Sequence, residues 1–400
     1  MIVYIKPSLA QGTVLAPPSK SEAHRALICA ALSGGSTVYN VALSEDIKAT
    51  LSGLSALGAS VEINGDSVHL GGLSTESIRS AEINVNESGS TLRFLIPIAL
   101  LSDKEINFFG SKRLFERDLS VYEEIAENQG FMLKKGENSV TVRGPLKSGA
   151  FKVRGDISSQ FVSGLMFALP ILSGNSFIEF STGLESKPYV DLTVKMLSEF
   201  GVTVGTENGG YSVTGNQIFK SRNITVSGDY SNAAFLEAFN LLGGRVEVTG
   251  LNPDTVQGDS VYKEFYKTVK SGGSYDLSDC PDLAPIMFAL AAEFSGARFT
   301  GTARLKIKES DRAAVMKEEL KKFGGELIIG DNEVIVNKTK LKSPIGRLCS
   351  HNDHRVLMAL SVLASKYGGE IEGAEAVNKS YPGFFDDIKK LGIEVDFNDD

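Results

Sequence analysis

The chain has 400 residues, of which 42% are hydrophobic and 22% are charged, and its formal net charge is −8. This length exceeds what one hydrophobic core usually organises, so two domains are expected. The acidic balance disfavours nucleic-acid binding, which usually needs a basic surface. Three cysteines without CxxC spacing predict neither a disulfide framework nor a zinc site.

Neither a membrane span nor a secretion signal is predicted. No apolar run reaches about 18 residues. The N-terminal stretch MIVYIKPSLAQGTVLAPPSKS alternates like a strand and lacks a basic start followed by an apolar core. We therefore expect a cytoplasmic protein in a reducing compartment, with no membrane partner.

An apolar helix followed by a strand recurs six times along the chain. The copies begin, in order, at Ser21, Glu87, Ser158, Ser231, Pro281 and Asn352. Each helix is apolar nearly all round, which predicts burial. Five of the six starts carry a Ser, Asn or Asp that is suited to an N-cap, and the other opens with Pro281-Asp282.

A second, more amphipathic helix follows each copy and ends near a glycine, as in SEDIKATLSGLSALG and DRAAVMKEELKKFGG. The stretch DSVYKEFYKTVKSGG is a weaker sixth example. The repeating unit is therefore strand–helix–strand–helix–strand, about 70 residues long. A solenoid is the competing interpretation of any repeat, but polar loops of uneven length before the buried helices argue against it.

The predicted fold class is α/β, a two-domain inside-out α/β barrel in which each domain contains three such repeats with buried helices. The first domain is predicted at residues 13–224. The second combines residues 1–12 with 225–400, with crossovers near 12–20 and 218–228.

Polar and cationic residues cluster at the starts of these helices. Helix N-termini attract anions, and Arg and Lys beside them suit carboxylate and phosphate groups. If the two domains face each other through these ends, the cations converge on one cleft and require anionic ligands. Neither GxxxxGK[ST] nor a GxGxxG after a strand is present, so neither nucleotide-binding fold is supported. The residues are Lys20, Ser21 and Arg25; Ser88, Gly89, Ser90 and Arg93; Arg113 and Arg117; Ser158, Ser159 and Gln160; Ser186, Lys187 and Tyr189; Lys308, Glu309 and Arg312; His354 and Arg355; and Lys379.

Two carboxylates stand among these cations, Asp282 in CPDLAP and Glu309 in KESDR. Neighbouring cations lower a carboxylate pKa, whereas desolvation raises it. Both groups are candidates for a general acid and base. The alternative is structural, with Asp282 capping its helix and Glu309 pairing with Lys308 or Arg312.

The motifs PPSKSEAHR, GDISSQF, SKPY, PDLAP, KESDR, NDHR and KSYPGFF occur in this order. Together they resemble the 5-enolpyruvylshikimate-3-phosphate synthase family, and the resemblance runs from about residue 6 to residue 392. It implies transfer of the enolpyruvyl group of phosphoenolpyruvate to the 5-hydroxyl of shikimate 3-phosphate, with release of phosphate. It also implies a monomer that needs no metal and no other cofactor.

The resemblance further implies a role for each matching residue. Asp282 would accept the 5-hydroxyl proton, Glu309 would deliver a proton to the methylene carbon, and Lys20 would touch both substrates. Shikimate 3-phosphate would be held by Lys20, Ser21, Arg25, Ser158, Ser159, Gln160, Ser186, Asp282 and Lys308. Phosphoenolpyruvate would be held by Lys20, Gly89, Arg113, Gln160, Arg312, Arg355 and Lys379.

Three positions depart from the family pattern. Residues 87–90 read ESGS where many members carry NAGT, which alters the phosphoenolpyruvate side of the site. Asp118 replaces the proline of an ERP motif, and we expect this change to loosen the local turn. Arg304 stands where the family often has a polar residue, so it receives no role.

Two other functions compete with this interpretation. An enolpyruvyl transferase acting on UDP-N-acetylglucosamine would carry Lys-Asn near its start and a cysteine in a mobile loop. This chain has Lys20-Ser21, and FFGSKRLFERD contains no cysteine. A non-catalytic anion-binding protein would be expected to lose Asp282 or Glu309, and both are present.

Overall fold

The computed structural model describes residues 1–398, and it forms two compact units. The continuous unit spans Pro18–Ser227, and the discontinuous unit joins Met1–Pro17 to the chain from Gly228 onward. Strand Gln11–Leu15 pairs in parallel with Arg245–Thr249, and this pairing places residues 13–15 in the discontinuous unit. The predicted boundaries after residues 12 and 224 lie within five residues of those of the two units, after Pro17 and Ser227.

Helices and strands alternate along most of the chain. The helices are α1 Lys20–Leu32, α2 Glu45–Leu57, α3 Gly89–Ala99, α4 Lys112–Glu116, α5 Ser120–Gln129, α6 Ser159–Ala168, α7 Lys187–Glu199, α8 Tyr230–Leu241, α9 Tyr262–Thr268, α10 Ala284–Glu293, α11 Arg312–Lys322, α12 His354–Tyr367 and α13 Phe384–Lys390. Short 3₁₀ helices include Pro281–Leu283, Ala303–Ile307 and Ala374–Lys379.

The strands are short, as is typical of small mixed sheets. They are β1 Ile2–Ile5, β2 Gln11–Leu15, β3 Ser36–Tyr39, β4 Ser60–Asn64, β5 Ser67–Gly71, β6 Ala81–Asn86, β7 Glu105–Gly110, β8 Met132–Lys135, β9 Ser139–Arg143, β10 Ala150–Val153, β11 Ser176–Phe180, β12 Val204–Glu207, β13 Gly210–Val213, β14 Ile224–Thr225, β15 Arg245–Thr249, β16 Ser274–Asp276, β17 Ala297–Thr300, β18 Glu326–Ile329, β19 Glu333–Asn337, β20 Leu348–Cys349, β21 Gly369–Glu372 and β22 Val395–Asn398.

Five four-stranded sheets within residues 1–398 share one topology, in which one parallel pair is followed by two antiparallel pairs. The continuous unit contains the orders β14-β3-β5-β4, β6-β7-β9-β8 and β10-β11-β13-β12, and the discontinuous unit contains β16-β17-β19-β18 and β20-β21-β1-β22. The fold is therefore a mixed α/β fold with a recurring sheet. Pairing of β14 with β3 and of β1 with β22 joins distant parts of the chain, which a solenoid does not do.

The weak sixth repeat differs from the others. Its sheet contains only β15 and β2 within the described chain. The 3₁₀ turn Val269–Ser271 follows α9 directly, and the chain then enters β16 of the next sheet. Because so few residues separate α9 from β16, no hairpin forms there.

The six apolar helices are confirmed as α1, α3, α6, α8, α10 and α12. They are buried along most of their length, and α3 packs on α6 while α8, α10 and α12 pack on one another. Side-chain N-caps are present at five of them, from Ser19, Ser88, Ser158, Asp229 and Asp353. The exception is α10, which begins as the 3₁₀ turn Pro281–Leu283 without a side-chain cap. Among the described residues, no helix combines the length and apolarity that crossing a membrane requires.

Candidate functional site

The first turn of α1 carries a lysine held by a carboxylate of α2. Lys20 Nζ lies 2.6 Å from Asp46 Oδ2, and the two side chains are only 15% and 14% exposed. Asp46 lies in the first turn of α2, and its backbone carbonyl accepts a hydrogen bond from Thr91 Oγ1 of α3 at 3.3 Å. These contacts place Lys20 close to the start of α3.

Arg25 lies one turn further along α1 and is buried. It donates to Thr193 Oγ1 at 2.7 Å, to the Tyr189 carbonyl at 2.8 Å and to the Ser21 carbonyl at 2.7 Å. A longer bond of 3.4 Å reaches Ser163 Oγ. These acceptors are neutral, so they orient the guanidinium without cancelling its charge. Burial lowers the pKa of Arg25 to about 10.

The start of α3 is closely approached by two guanidinium groups. A Cβ atom at Gly89 would stand 2.7 Å from Arg93 Nη1 and 2.9 Å from Arg117 Nη1, so only glycine fits there without displacement. Ser88 caps the helix by accepting the Thr91 N–H at 3.2 Å. A helix N-terminus flanked by two arginines suits an anion.

Gln160, at the start of α6, connects this site to the neighbouring helix. Its Nε2 donates to Ser90 Oγ at 2.9 Å, and its Oε1 accepts from Arg93 Nη1 at 3.2 Å. Ser90, one of the departures from NAGT, therefore helps to orient the predicted site residue Gln160.

The turn at Asp118 contains hydrogen bonds to both its side chain and its backbone, and its loosening relative to a proline turn stays a prediction. The Asp118 carboxylate accepts the Ser120 N–H at 2.7 Å, directly before α5, and its carbonyl accepts from Arg93 Nη2 at 3.2 Å. A side-chain hydrogen bond is thus present in this turn where the family has a proline ring.

Arg117, four residues after the predicted site residue Arg113, has its guanidinium next to the start of α3. Arg113 lies on the exposed side of the short helix α4, with its Nη1 3.8 Å from Glu116 Oε2 and 45% of its side chain exposed. Arg117 follows the end of α4 in extended backbone, and its guanidinium approaches Gly89. Which of the two arginines turned inward depended on the orientation of α4.

Three predicted serines lie at the starts of α6 and α7. Ser158 caps α6 by accepting the Gln160 N–H at 3.3 Å, and Ser159 is buried. Ser186 precedes α7 with φ 55°, a left-handed conformation that is unfavourable for a side-chain-bearing residue. Such strain is often found at functional sites.

In the discontinuous unit, Arg312 at the start of α11 contacts three carboxylates. Its Nε donates to Asp353 Oδ2 at 2.9 Å, its Nη1 to Asp282 Oδ1 at 2.7 Å and its Nη2 to Glu309 Oε2 at 2.9 Å. Arg312 is 1% exposed and Asp353 is fully buried. Burial would lower the pKa of Arg312, but the three carboxylates outweigh it and raise the pKa.

Asp282 is surrounded by cations and does not cap α10. Besides Arg312, Lys308 Nζ lies 3.6 Å from its Oδ1 and Arg355 Nη2 lies 3.4 Å from its Oδ2. Burial alone would raise its pKa, yet these three cations hold the pKa well below its usual range. The capping alternative for Asp282 is therefore wrong, whereas Glu309 does pair with Arg312.

Lys308 and Arg355 complete this group, which we call the carboxylate cluster: Asp282, Lys308, Glu309, Arg312, Asp353 and Arg355. Burial lowers the pKa of Lys308 to about 8, against the opposing effect of Asp282. Arg355 Nη1 donates to Asn232 Oδ1 of α8 at 2.8 Å, and its guanidinium carbon lies 5.6 Å from the Phe235 ring centre. A neutral amide and an aromatic face thus orient Arg355.

Lys379 lies at the end of the 3₁₀ helix Ala374–Lys379, and its Nζ donates to the Asn352 carbonyl at 2.6 Å. Asn352 immediately precedes Asp353, so Lys379 is tied to the loop that leads into α12. The structure thus gathers the predicted residues of this unit around the starts of α10, α11 and α12.

Several residues at these sites were not assigned a role from the sequence. Arg93 and Arg117 had been noted only as cations at helix starts, and Asp353 only as part of NDHR. No sequence motif marked Asp46 and Asn232 as site residues, because their positions at the site depend on contacts with Lys20 and Arg355 of other helices.

The chain matches a known protein family along nearly its whole length. Residues 5–388 match the family model of EPSP synthase (3-phosphoshikimate 1-carboxyvinyltransferase). The chain is 43% identical to the 3-phosphoshikimate 1-carboxyvinyltransferase of Clostridium kluyveri, with 98% of both chains covered. It is 41% identical to the enzyme of the same name from Clostridium novyi, again with 98% of both covered.

Among solved structures, EPSP synthase from Acinetobacter baumannii superimposes with a TM-score of 0.80 at 22% identity, covering 99% of this chain and 100% of that one. That likeness extends over the whole fold. With the family match across nearly the entire chain and the identity to the clostridial relatives, it follows that the chain belongs to the EPSP synthase family.

Proposed function

We propose that the chain transfers the enolpyruvyl group of phosphoenolpyruvate to the 5-hydroxyl of shikimate 3-phosphate and releases phosphate, a step of aromatic amino acid biosynthesis. The observation that carries the proposal is the carboxylate cluster. Asp282 and Glu309 share one buried arginine, and Lys308 and Arg355 flank Asp282. Two candidate proton-transfer groups therefore stand among groups that bind anions.

We also propose that each unit has the inside-out arrangement, with its apolar helices enclosed by its sheets. The support is the burial of α1, α3 and α6 in one unit and of α8, α10 and α12 in the other. Five of the six sheets in residues 1–398 share one topology, as an arrangement of repeats requires.

Shikimate 3-phosphate is assigned to polar groups at the starts of α1, α6 and α7 and to part of the carboxylate cluster. Arg25 supplies an oriented charge that its neutral partners leave available. Lys20 is assigned to both substrates. The full set is Lys20, Ser21, Arg25, Ser158, Ser159, Gln160, Ser186, Asp282 and Lys308.

Phosphoenolpyruvate is assigned to Lys20, Gly89, Gln160, Arg312, Arg355 and Lys379, and we replace Arg113 by Arg117. The reason is the approach of the Arg117 guanidinium to Gly89. Backbone N–H groups at the start of α3 and planar guanidinium groups together suit phosphate and carboxylate.

The two carboxylates supply the proton transfers. Asp282 takes the proton of the 5-hydroxyl as that oxygen attacks C2 of phosphoenolpyruvate. Glu309, which enters the cycle protonated, delivers its proton to C3, which becomes a methyl group. In the tetrahedral intermediate, C2 carries both the new C–O bond and the phosphate. Glu309 then removes a methyl proton, the C2–O bond to phosphate breaks, and the proton on Asp282 leaves with the phosphate. The cations stabilise the charge that develops.

Substrate binding increases the basicity of Asp282. Arg312 and Arg355 pair with Asp282 and are also assigned to phosphoenolpyruvate. Because the bound anion competes for both guanidinium groups, it weakens the interactions that lower the pKa of Asp282. The base is thus strengthened when its substrate arrives.

Phosphate release tests the proposal. Purified protein is mixed with shikimate 3-phosphate and phosphoenolpyruvate, and inorganic phosphate is measured over time. We expect release only when both substrates are present. Release with UDP-N-acetylglucosamine in place of shikimate 3-phosphate would support the rival transferase. If phosphate were released with neither of the two acceptors, both functions would be rejected.

The two arginines around α4 should behave differently. We expect Arg117→Gln to raise the KM for phosphoenolpyruvate at least about tenfold, the equivalent of roughly 1.4 kcal/mol. Arg113→Gln should change that KM less than about twofold, because its side chain is half exposed. Steady-state kinetics of the pair provides the check. If Arg113→Gln gave the larger increase, the original assignment would be restored.

A further inference from the structure

Helix α11 holds the loop before α12 at two points. At its first residue, Arg312 donates to Asp353. Two turns later on the same face, Glu319 Oε2 accepts the Cys349 N–H at 3.0 Å and Glu319 Oε1 lies 2.9 Å from His351 Nε2. Glu319 is fully buried, whereas His351 is 23% exposed.

The held loop is strained and is placed next to the anion ligands. His351 and Asn352 both adopt positive φ, 50° and 56°, which side-chain-bearing residues rarely do. Such conformations persist where surrounding contacts enforce them. The carbonyl of Asn352 accepts from Lys379, and Asp353 caps the helix that carries Arg355.

We propose that Glu319 and His351 form a positioning pair that fixes the loop of residues 350–353. Through this loop the pair sets the positions of Arg355 and Lys379 for phosphoenolpyruvate. The inference rests on the proposed function for the identity of that anion.

A metal ion is a poorer interpretation of this group, although ligand atoms of Glu318, Glu319 and His351 lie within 4.8 Å of one another. The Lys322 ammonium lies 2.8 and 2.9 Å from the two oxygens of Glu319 and also donates to the Arg347 carbonyl. A cation therefore already occupies the position between the Glu319 oxygens. Hydrogen bonding accounts for the buried carboxylate without a metal.

The pair is sensitive to pH in a defined direction. The hydrogen bond to Glu319 raises the pKa of His351, against partial burial. The charged pair is thus complete at low pH and loses its charge as pH rises through this raised pKa, above about 6.5. Groups that act on His351 or on its loop are Glu318, Glu319 and Lys322 of α11, Cys349 of β20, Glu372 of β21 and Lys379.

Kinetics of three variants tests the proposal. We expect Glu319→Gln and His351→Gln each to raise the KM for phosphoenolpyruvate about tenfold, with kcat and the KM for shikimate 3-phosphate changed less than about threefold. Glu318→Gln removes an exposed charge next to the pair without breaking its hydrogen bond, and should change neither KM. If Glu319→Gln fails to fold because Glu319 is buried, His351→Gln still tests the proposal.

The pH profile separates positioning from a general structural role. The ratio of the variant KM to the wild-type KM should fall as pH rises through the His351 pKa, because the wild type then loses the charged pair. Taking the ratio removes the titration of phosphoenolpyruvate itself. Histidine NMR should show the His351 pKa lowered in Glu319→Gln.

Equal increases in both KM values, or a phosphoenolpyruvate KM within about threefold of wild type in both pair variants, would overturn the inference. These outcomes are distinct from failure of the proposed function, in which the wild-type protein itself would release no phosphate.

Discussion

Asp282→Asn is expected to lower kcat by at least about 10²-fold. The amide has nearly the size of the carboxylate but cannot accept the 5-hydroxyl proton. Because Asp282 does not cap α10, the change leaves the helix start intact. Arg312 keeps Glu309 and Asp353 as partners, so the melting temperature should stay within a few degrees of the wild-type value.

The binding of phosphoenolpyruvate gives this prediction a second, independent readout. Asp282 competes with the anion for Arg312 and Arg355, and the amide competes less. Calorimetric titration should therefore show phosphoenolpyruvate bound at least as tightly by Asp282→Asn as by the wild type. Weaker binding would mean that Asp282 organises the arginines and does not compete with the anion for them.

Asp279→Asn is a matched control, since it removes an exposed carboxylate three residues earlier in the same segment. Its kcat should stay within about twofold of the wild-type value. If Asp282→Asn also retained activity within about threefold, Asp282 would not be the proton acceptor. Lys308 or a bound water would then take that role.

The sequence predicted best what local patterns determine. Apolar helices with N-caps follow from hydrophobic periodicity and capping chemistry, and a side-chain cap forms at all five helix starts where one was predicted. The start of α10 was marked as different by Pro281-Asp282, but the sequence left open whether Asp282 caps the helix, and the structure shows that it does not. The Asp282 carboxylate is therefore available to the cations around it.

Side chains that meet across long sequence separations were not predictable in the same way. Asn232 reaches Arg355 from a helix 123 residues away, and nothing in its own neighbourhood marks it. Within SKRLFERD, Arg113 and Arg117 are both candidate ligands of phosphoenolpyruvate. The orientation of α4 decides which of them lies next to Gly89. The sixth repeat does not complete its sheet because the connection after α9 is too short for a hairpin. The weak repeat pattern in the sequence did not predict the length of this connection.

Arg312→Met is expected to cause the largest loss of stability at the site. Removing one partner from a buried ion group costs about 3–5 kcal/mol, because the remaining charges stay buried without compensation. Here Asp282, Glu309 and Asp353 would lose a shared partner, and Asp353 is fully buried. We expect the melting temperature to fall by about 10 °C in scanning calorimetry.

The loss should depend on pH in a direction set by the depressed pKa of Asp282. A carboxylate whose pKa is depressed in the folded state stabilises the protein above its unfolded pKa of about 3.9 and loses this contribution as pH falls through the folded value. Arg312→Met raises the folded pKa, so the variant should be most destabilised near pH 7. The difference from wild type should shrink toward pH 4, where the carboxylates of the variant become protonated and neutral.

Arg298→Met is the control, because it breaks an exposed pair with Glu333 and should cost under about 1 kcal/mol. An Arg312→Met loss as small as that of the control, and equal at both pH values, would show that the three carboxylates do not depend on Arg312 for their charge.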